Sequence, residues 1–246
     1  MIQYGCCARF ELGIAYNVEF AVQHGFDVLQ VWYDRAGFGY GPQKLPRQQI
    51  ADMAFPSLIH AVLPVHELID ECLRLYEHLA FLGHHRLILH PAHHENHPYH
   101  SGDMCRQIDR LLPHIEGSGI TLYVENNCRI SPVLYRTDEV ASLFQTHSSL
   151  KFLLDVAHID DYQHLDALIA AQYPAMLHVA DSHFSVVHEH LPLGEGEIDF
   201  SSVFLHHLHE FDGTMIFEIV ESDAHIVSAK ANIATILAQH RVAPPS

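Results

Sequence analysis

Six short apolar runs of the sequence end at a residue that can bind a metal ion. The runs are SLIH ending at His60, RLILH at His90, ITLYVE at Glu125, KFLLD at Asp155, AMLH at His178 and TMIFE at Glu218. Buried carboxylates are costly unless they are paired or bound to a metal, so their repetition at run ends indicates a common site. Three carboxylates and three imidazoles favour a divalent ion, with Zn or Mn preferred because of the nitrogen donors. For any one position alone, an ion pair within a sheet or a helix cap is an equal alternative.

Two further segments carry histidines that could join this site. The segment DVAHID places His158 three residues after Asp155, so that both side chains can point to the same spot. The segment HEHLPLGEGEIDF adds two histidines and two glycines, at His188, His190, Gly194 and Gly196. Glycines allow a ligand to approach the backbone closely, and Asp199 is expected to cap the helix that follows. A pair of loop histidines that bind no metal is the alternative interpretation of His188 and His190.

The apolar runs predict the elements that position these residues. Short runs rich in Leu, Ile, Val and Phe are typical of parallel strands buried on both faces. The predicted strands are residues 2–8, 26–31, 57–62, 86–90, 121–125, 151–155, 176–180 and 214–219. The predicted helices are residues 14–24, 46–53, 65–82, 102–117, 162–172, 200–209 and 224–239, with one more beginning at Thr137.

This alternation predicts an α/β fold in which eight parallel strands close into a (β/α)8 TIM barrel. Such a barrel needs about 250 residues, and the chain has 246, so we expect a single domain over residues 1–246. The C-terminal ends of barrel strands converge on one face, where the chemistry of this fold is found. An open doubly wound sheet is the alternative, and it is less favoured because no GxGxxG follows the first predicted strand.

The charge balance restricts the expected partners. The chain has 13 Lys and Arg against 30 Asp and Glu, which gives a formal charge of −17 with His neutral. So acidic a surface repels phosphate backbones, and nucleic acid is therefore not expected as a partner. Histidine accounts for 24 residues, which permits a metal site without locating it. A small-molecule substrate is the expected partner, and a homodimer is compatible with these features.

The cysteines and the apolar segments indicate a compartment. Five cysteines form no CxxC pair and are odd in number, which favours a reducing environment over a disulfide framework. The segment MIQYGCCARF lacks the layout of a signal peptide, and no apolar stretch reaches the ~18 residues of a membrane span. We therefore expect a cytoplasmic protein with no membrane contact.

Residues beyond the run ends could contact a substrate. Trp32, Tyr33, Phe38 and Tyr40 follow the second predicted strand and could form an aromatic wall for the ring of a substrate. The stretch after that strand, which contains several glycines, is predicted to be irregular, and packing within this loop is the alternative for these four. Arg9, Glu11 and Arg129 could bind hydroxyl or phosphate groups, although surface charge explains each of them as well. Asn126 and Asn127 are expected to orient the region of Glu125.

The motifs taken together resemble a known superfamily. They are HPxxH from His90, VEN from Val124, DxxH from Asp155, HxxD from His178, HLPLGEGEIDF from His190 and a late FE ending at Glu218. In combination they resemble the xylose-isomerase-like TIM barrels. That superfamily includes sugar phosphate isomerases and epimerases, hydroxypyruvate isomerase-like enzymes, and abasic-site endonucleases of the endonuclease IV type (AP endonuclease family 2). The resemblance covers about His60 to Glu218.

Resemblance to the isomerase and epimerase branch implies one divalent ion. Its ligands would be Glu125, Asp155, His178 and Glu218. Glu125 and Glu218 would also move a proton beside a metal-polarised carbonyl, and His158 would touch the substrate. The chain departs from the epimerase pattern at Phe184, where a substrate-contacting arginine is expected, and this puts the substrate in doubt.

Resemblance to the endonuclease branch implies three zinc ions. His60 and His90 would bind the first together with Glu125, which would bridge to a second ion. Asp155, His178 and Glu218 would complete that second site. His158 and His190 would bind the third, with His188 standing where an aspartate is expected. Such a cluster activates water and cleaves phosphoesters.

These observations lead to three hypotheses about function. The first is a metal-dependent isomerase or epimerase of a small sugar or sugar phosphate with one Zn or Mn ion, because the chain is acidic and of minimal barrel length. The second is a multi-zinc phosphoesterase with two or three ions. The third is a His-rich metal-binding protein without enzymatic activity, which would account for the histidines between His93 and His100.

Overall fold

Eight parallel strands close into a ring, which confirms the predicted (β/α)8 TIM barrel. The computed structural model describes residues 1–39, 44–53 and 55–242. Its strands are β1 (Gln3–Cys7), β2 (Val28–Asp34), β3 (Gly37–Phe38), β4 (Ser57–Pro64), β5 (Arg86–Ala92), β6 (Thr121–Glu125), β7 (Lys151–Asp155), β8 (Met176–Val179) and β9 (Thr214–Phe217). Its helices are α1 (Gly13–Gln23), α2 (Arg47–Ala51), α3 (Leu68–Leu82), α4 (Asp103–Ile115), α5 (Thr137–Thr146), α6 (Tyr162–Ala171), α7 (Phe200–Ser202) and α8 (Asp223–Val242).

Strand β1 closes the ring by pairing with β9 on one side and with β2 on the other. Gly5 lies at this closure, opposite Val28 and Ile216. A Cβ atom at Gly5 would lie 2.7 Å from Cγ1 of Val28, which is closer than carbon atoms approach in proteins. A glycine therefore lets the first and last strands meet at this point.

The inside of the barrel contains a layer to which every barrel strand contributes one side chain. The layer comprises Cys7, Val28, Leu58, Ile88, Leu153, Met176 and Ile216, with Tyr123 packed against it. A second and larger apolar core lies between the strands and the surrounding helices. Since the interior is filled at this level, polar side chains further along the strands gather at the C-terminal mouth of the barrel.

The structure differs from the predicted elements in several places. Strand β2 extends to Asp34, so that Trp32 and Tyr33 lie within the strand rather than after it. Residues after β2 were predicted to be irregular, but β3 pairs antiparallel with β2 through Tyr33 and Phe38 and through Asp34 and Gly37. The helix predicted at 200–209 is interrupted, because α7 passes into a π-helical turn at Val203–His207. The predicted cap is confirmed, since the Asp199 carboxylate accepts hydrogen bonds from the backbone amides of Ser201 and Ser202.

Among the described residues, no helix combines the length and the apolar character that crossing a membrane requires. Tyr40, Gly41 and Pro42, which belong to the segment predicted to be irregular, lie outside the described residues.

Candidate metal centre

Four residues that were predicted as ligands meet at the C-terminal mouth of the barrel. We call Glu125, Asp155, His178 and Glu218 the central cluster, because one donor atom of each lies within 4.8 Å of those of the others. Glu125 and Asp155 are the last residues of β6 and β7, Glu218 follows β9 directly, and His178 pairs with Asp155 across β7 and β8. None of the four is more than 3% exposed.

Glu125 connects the central cluster to two further predicted ligands. Its Oε2 lies 2.9 Å from Nε2 of His60 and 3.2 Å from Nδ1 of His90. Its Oε1 lies 3.0 Å from Nδ1 of His178. One carboxylate oxygen therefore faces His60 and His90, and the other faces the central cluster.

Asp155 connects the central cluster to His158 and His190. Its Oδ1 accepts a hydrogen bond from the amide of Ala157, and this turn brings His158 back toward the mouth. Oδ2 of Asp155, Nε2 of His158 and Nε2 of His190 lie 3.3 Å from one another in each pairing. Ligands bound tetrahedrally at 2.0–2.1 Å are separated by about 3.3 Å, so the three atoms have the spacing that a bound cation requires.

Several atoms of the site are buried without a hydrogen bond. They are Nε2 of His60, Oε2 of Glu125 and Oδ2 of Asp155. A buried polar atom without a partner costs roughly 1–3 kcal/mol, and more when it is charged. Each of these atoms lies close to other nitrogen or oxygen atoms of the site but forms no hydrogen bond with them. A divalent cation near these atoms would offset this cost, so the donor set of the site fits such an ion.

The charges of the site are strongly coupled. Burial opposes ionisation of Glu125, but the nearby His178, His90 and His60 outweigh it and hold the pKa of this carboxyl well below its usual value. Burial likewise opposes protonation of His178, but Glu218 and Glu125 raise the pKa of its imidazole well above the usual range. The pKa of His190 rises to about 9, because Asp155 and Glu218 outweigh its burial. Without a cation, protons on these imidazoles balance the carboxylates.

Gln30 on β2 is a buried polar residue of the site that the sequence interpretation missed. Its Nε2 donates to Oε1 of Glu218 at 3.2 Å, and because a carboxylate can only accept, this contact fixes the orientation of the amide. Its Oε1 then accepts from Nε2 of His178 at 2.9 Å, which leaves Nδ1 of His178 facing the carboxylates. A glutamine within the apolar run DVLQVW was the signal that could have revealed it.

The same amide affects His60 differently. Nε2 of Gln30 lies 3.1 Å from Nδ1 of His60 and donates to it, so the proton of this neutral imidazole is on Nε2. Nε2 is the atom that faces Glu125, and it could bind a metal only if its proton moved to Nδ1, the atom to which Gln30 donates. His178 is therefore prepared to be a ligand in this arrangement, whereas His60 is not.

Asn126 and Asn127, which were predicted to orient the region of Glu125, orient histidines of the site. Oδ1 of Asn127 accepts from Nε2 of His90 at 2.8 Å, which leaves Nδ1 of His90 free to face Glu125. The carbonyl oxygen of Asn126 accepts from Nδ1 of His158 at 3.0 Å, which leaves Nε2 free. Hydrogen bonds of this kind fix the tautomer and the ring direction of metal-binding histidines.

A cavity of about 990 Å³ opens above the site. Glu218, His90, His188 and His190 line it, whereas the other predicted ligands lie beneath this surface. The described lining contains the acidic side chains of Glu11, Asp34, Glu95 and Glu218. Arg9 also lines the cavity, but it forms an ion pair with Asp223 and contacts the ring of Phe20 at 4.9 Å. The cavity is therefore predominantly acidic.

Some of the residues predicted to contact substrate line the cavity, and others do not. Trp32 lines the cavity beside His60, with ring centroids 4.5 Å apart, and Arg9 and Tyr33 line it as well. Gly194 and Gly196 are not among the described residues of the lining. The amide of Gly194 donates to Oδ2 of Asp181 at 2.8 Å, and a Cβ at Gly196 would collide with Oδ1 of the same residue. These glycines shape a turn around Asp181.

Two other predicted positions are accounted for by neighbouring groups. Phe38 is buried against Tyr33, with ring centroids 5.2 Å apart. Arg129 donates to the carbonyl oxygen of Phe184 at 3.1 Å, so a guanidinium lies beside the position where the epimerase pattern has an arginine. Tyr40 lies outside the described residues.

The histidines of the loop at 93–100 lie together with His66. The rings of His66 and His97 stack with centroids 3.8 Å apart, and those of His94 and His97 are 5.3 Å apart. A smaller cavity of about 310 Å³ adjoins these rings.

Comparison with solved structures places this chain among barrels of several activities. The chain is similar to a D-tagatose 3-epimerase-like protein, with 18% identity over 97% of this chain and 98% of the other and a TM-score of 0.77. It is similar to a sugar phosphate isomerase/epimerase from Parabacteroides distasonis, with 12% identity over 96% of this chain and 95% of the other and a TM-score of 0.66. It is also similar to an AP endonuclease, family 2, from Brucella melitensis, with 16% identity over 96% and 99% and a TM-score of 0.62. At these identities the similarities show the fold.

The sequence itself gives the family. No curated protein sequence matches the chain. The family model described as the xylose isomerase-like TIM barrel matches residues 18–239, which include every residue of the central cluster. The chain belongs to the xylose isomerase-like TIM barrel family.

Proposed function

We propose that this protein is a divalent-metal-dependent isomerase or epimerase of a small neutral sugar. The observation that carries the proposal is the arrangement around Gln30, which prepares His178 as a ligand and leaves the proton of His60 on its metal-facing nitrogen. This arrangement supports one ion in the central cluster rather than a second one between His60 and His90. When bound there, a Zn or Mn ion would polarise a substrate carbonyl.

Glu218 is the residue that we assign to proton transfer. It lines the cavity, so that it can reach a substrate, and its Oε2 lies 3.3 Å from Nδ1 of His178. Burial raises the pKa of this carboxyl, but His178 and His190 outweigh burial and hold the pKa well below the usual value, so Glu218 is ionised in the metal-free site. Glu125 lies beneath the cavity surface and would hold the ion. His158, which is 2% exposed, also lies beneath that surface.

The charge of the cavity favours a substrate without phosphate. Its described lining has four acidic side chains, of which Asp34 is paired with Lys44. Arg9 also lines the cavity and is already paired with Asp223. A phosphate dianion would enter this cavity against unfavourable charge. A neutral sugar could instead place its ring against Trp32 and its hydroxyls against the acidic side chains. The volume of about 990 Å³ is ample for a sugar.

A multi-zinc phosphoesterase is the second candidate. It is favoured by Glu125, whose two oxygens face different sets of histidines, and by the regular spacing of Asp155, His158 and His190. It would require the Gln30 amide to turn over, which would bring its oxygen against Oε1 of Glu218. The acidic cavity also opposes a phosphodiester substrate.

Two experiments test the proposal. One measures exchange of a substrate proton with the solvent, and the other measures the effect of His60→Asn on the number of bound ions. Incubation of the metal-loaded protein with unphosphorylated sugars in deuterated water should place deuterium at a carbon next to the carbonyl. Glu218→Gln should abolish this exchange, and the exposed neighbour Glu221→Gln should retain it. His60→Asn should leave the number of tightly bound ions per chain unchanged. Loss of one ion in His60→Asn, together with phosphodiester cleavage by the wild type, would support the second candidate.

A further inference from the structure

Asp181 is a buried residue that belongs neither to the central cluster nor to the described lining of the cavity. It lies two residues after β8 and is 1% exposed. Its Oδ1 accepts hydrogen bonds from the amides of Ser182 at 2.9 Å and Ile198 at 3.1 Å. Its Oδ2 accepts one from the amide of Gly194 at 2.8 Å. Backbone amides of the following segment therefore compensate for the burial of this side chain.

That segment is a loop held to Asp181 at both of its ends and in between. We call residues 182–198 the β8 loop. The amide of Asp181 donates to the carbonyl oxygen of Leu191 at 2.9 Å, and the amide of Leu191 donates to the carbonyl oxygen of Asp181 at 2.8 Å. The amide of Glu197 donates to the carbonyl oxygen of Ser182 at 2.9 Å. The position of the β8 loop is therefore fixed largely by one residue.

Gly196 shows how closely the β8 loop packs against this carboxylate. A Cβ atom at Gly196 would collide with Oδ1 of Asp181 and would lie 2.6 Å from the amide nitrogen of Ser182. Neither a backbone atom nor a carboxylate held by three amides moves aside cheaply. A methyl group at this position would therefore displace the β8 loop while leaving the carboxylate itself in place.

His190 is the side chain through which the β8 loop reaches the central cluster. Its Nε2 lies 3.3 Å from Oδ2 of Asp155, and its Nδ1 lies 3.4 Å from Oε2 of Glu218. It also lines the cavity. Because His190 precedes Leu191, the two hydrogen bonds between Leu191 and Asp181 fix the backbone from which this imidazole extends.

We propose that Asp181 is a positioning residue that holds His190 against Glu218 by fixing the β8 loop. This inference rests on the proposed function, in which Glu218 transfers the proton, and it adds a residue outside the cavity to that site. A carboxylate accepts hydrogen bonds at both oxygens, whereas an asparagine has a donor in place of one of them. Asp181→Asn therefore keeps the size of the side chain but breaks at least one of its bonds to the β8 loop.

Amide hydrogen exchange of the metal-loaded, full-length protein tests the first step. In Asp181→Asn, exchange in the β8 loop should accelerate at least about tenfold, because a hydrogen bond to a charged group is lost. Gly196→Ala, which keeps the carboxylate, should have the same effect. Asp199→Asn is the matched control, because Asp199 accepts from the amides of Ser201 and Ser202 instead, and it should leave the β8 loop protected. Slow exchange in β6 would show that each variant is folded, and unchanged protection of the β8 loop in Asp181→Asn would overturn the proposal.

A double-mutant cycle on sugar proton exchange tests whether Asp181 acts through His190. Asp181→Asn should lower kcat at least about tenfold, because a displaced group of the site costs rate even when the change is remote. The KM should change little, because Asp181 is not part of the described lining. In His190→Ala, the same substitution should have no further effect on kcat.

The outcomes of this cycle separate the two proposals. With an active wild type, a normal kcat in Asp181→Asn would overturn the role of Asp181 and leave the proposed isomerisation intact. A loss of kcat that is as large in His190→Ala as in the wild type would do the same. Absence of sugar proton exchange in the wild type would contradict the proposed function, and the positioning role of Asp181 would fail with it.

Discussion

Gln30 holds two imidazoles and a carboxylate of the candidate metal centre in fixed directions. It is fully buried, and each hydrogen of its amide nitrogen and its oxygen has a partner in the site. Residues that orient metal ligands typically contribute 10–100-fold to metal affinity. We therefore expect Gln30→Ala to weaken metal binding by about tenfold or more in a competition titration with a chelating dye. Gln48→Ala, on the exposed side of α2, is the control, and equal affinities in the two variants would contradict this assignment.

The protonation of His178 and His190 leads to a prediction about the pH dependence of metal binding. Both imidazoles have raised pKa values in the metal-free site, that of His190 to about 9, so they carry protons at neutral pH. A cation has to displace these protons, so metal binding should release them. The affinity should therefore increase as the pH rises from about 6 toward 9, the range over which the imidazoles lose their protons.

Calorimetric titration in two buffers of different ionisation enthalpy measures the number of protons released. We expect at least about one per ion near pH 7. A binding enthalpy that is the same in both buffers would show that the histidines bind the cation without having been protonated.

The residues of the centre could be predicted from the sequence to different degrees. Glu125 and Asp155 could be identified because they end buried strands, and the fold brings such ends together. Gln30 was missed, because one polar residue inside an apolar strand indicates a buried polar contact but does not identify its partners. Its role depends on tautomers and on distances across the mouth, which sequence spacing does not contain.

At the scale of elements, the strands were more predictable than the segments that connect them. Continuous apolar runs define β6 and β7, whose observed limits are those predicted. The pairing of β3 with β2 depends on Gly37, which has a φ of 120°, a conformation that favours glycine. The π-helical turn at Val203–His207 lies against α6 and α8. Tertiary contacts of this kind leave no periodic pattern in a sequence.

His84, between α3 and β5, makes the stability of the barrel depend on pH. Burial, together with His85 and Arg86, lowers the pKa of its imidazole from 6.5 to about 4. Its Nδ1 is buried without a hydrogen bond, whereas its Nε2 lies 2.9 Å from Oγ of Ser57 at the start of β4. The unfolded chain takes up a proton near pH 6.5, but the folded protein does so only near pH 4. The free energy of unfolding should therefore fall as the pH is lowered between these two values.

Replacement of His84 removes this contribution. His84 is partly exposed, so we expect it to lower the free energy of unfolding by about 1 kcal/mol between pH 7 and 5, which is less than its pKa shift alone implies. Urea denaturation with a chelator present should show that His84→Asn loses less stability on acidification than the wild type. His114→Asn, at an exposed position on α4, should behave as the wild type. Equal losses in all three proteins would contradict the role of His84.

At the scale of the whole molecule, eight repeated strand–helix units determined the fold, and the sequence showed them. The closed ring follows because each apolar run must be covered on both faces, and the layer of one side chain per barrel strand fills its interior. The chemistry of the substrate was less accessible to sequence interpretation. It depends on which charged side chains reach the cavity, and Arg9 illustrates this, because the sequence did not reveal its ion pair with Asp223.

The candidate centre also links distant parts of the chain, and metal should therefore stabilise the whole barrel. The central cluster joins β6, β7, β8 and the end of β9, which lie far apart in the unfolded chain. A cation that binds only the folded protein at 100 times its dissociation constant adds about 2.7 kcal/mol to the free energy of unfolding. The midpoint of thermal unfolding should rise with Mn²⁺ or Zn²⁺ and fall with a chelator. Glu218→Ala should remove most of the dependence of this midpoint on metal, whereas Glu221→Ala should keep it. If metal raised the midpoint equally in both variants, the stabilising ion would bind elsewhere.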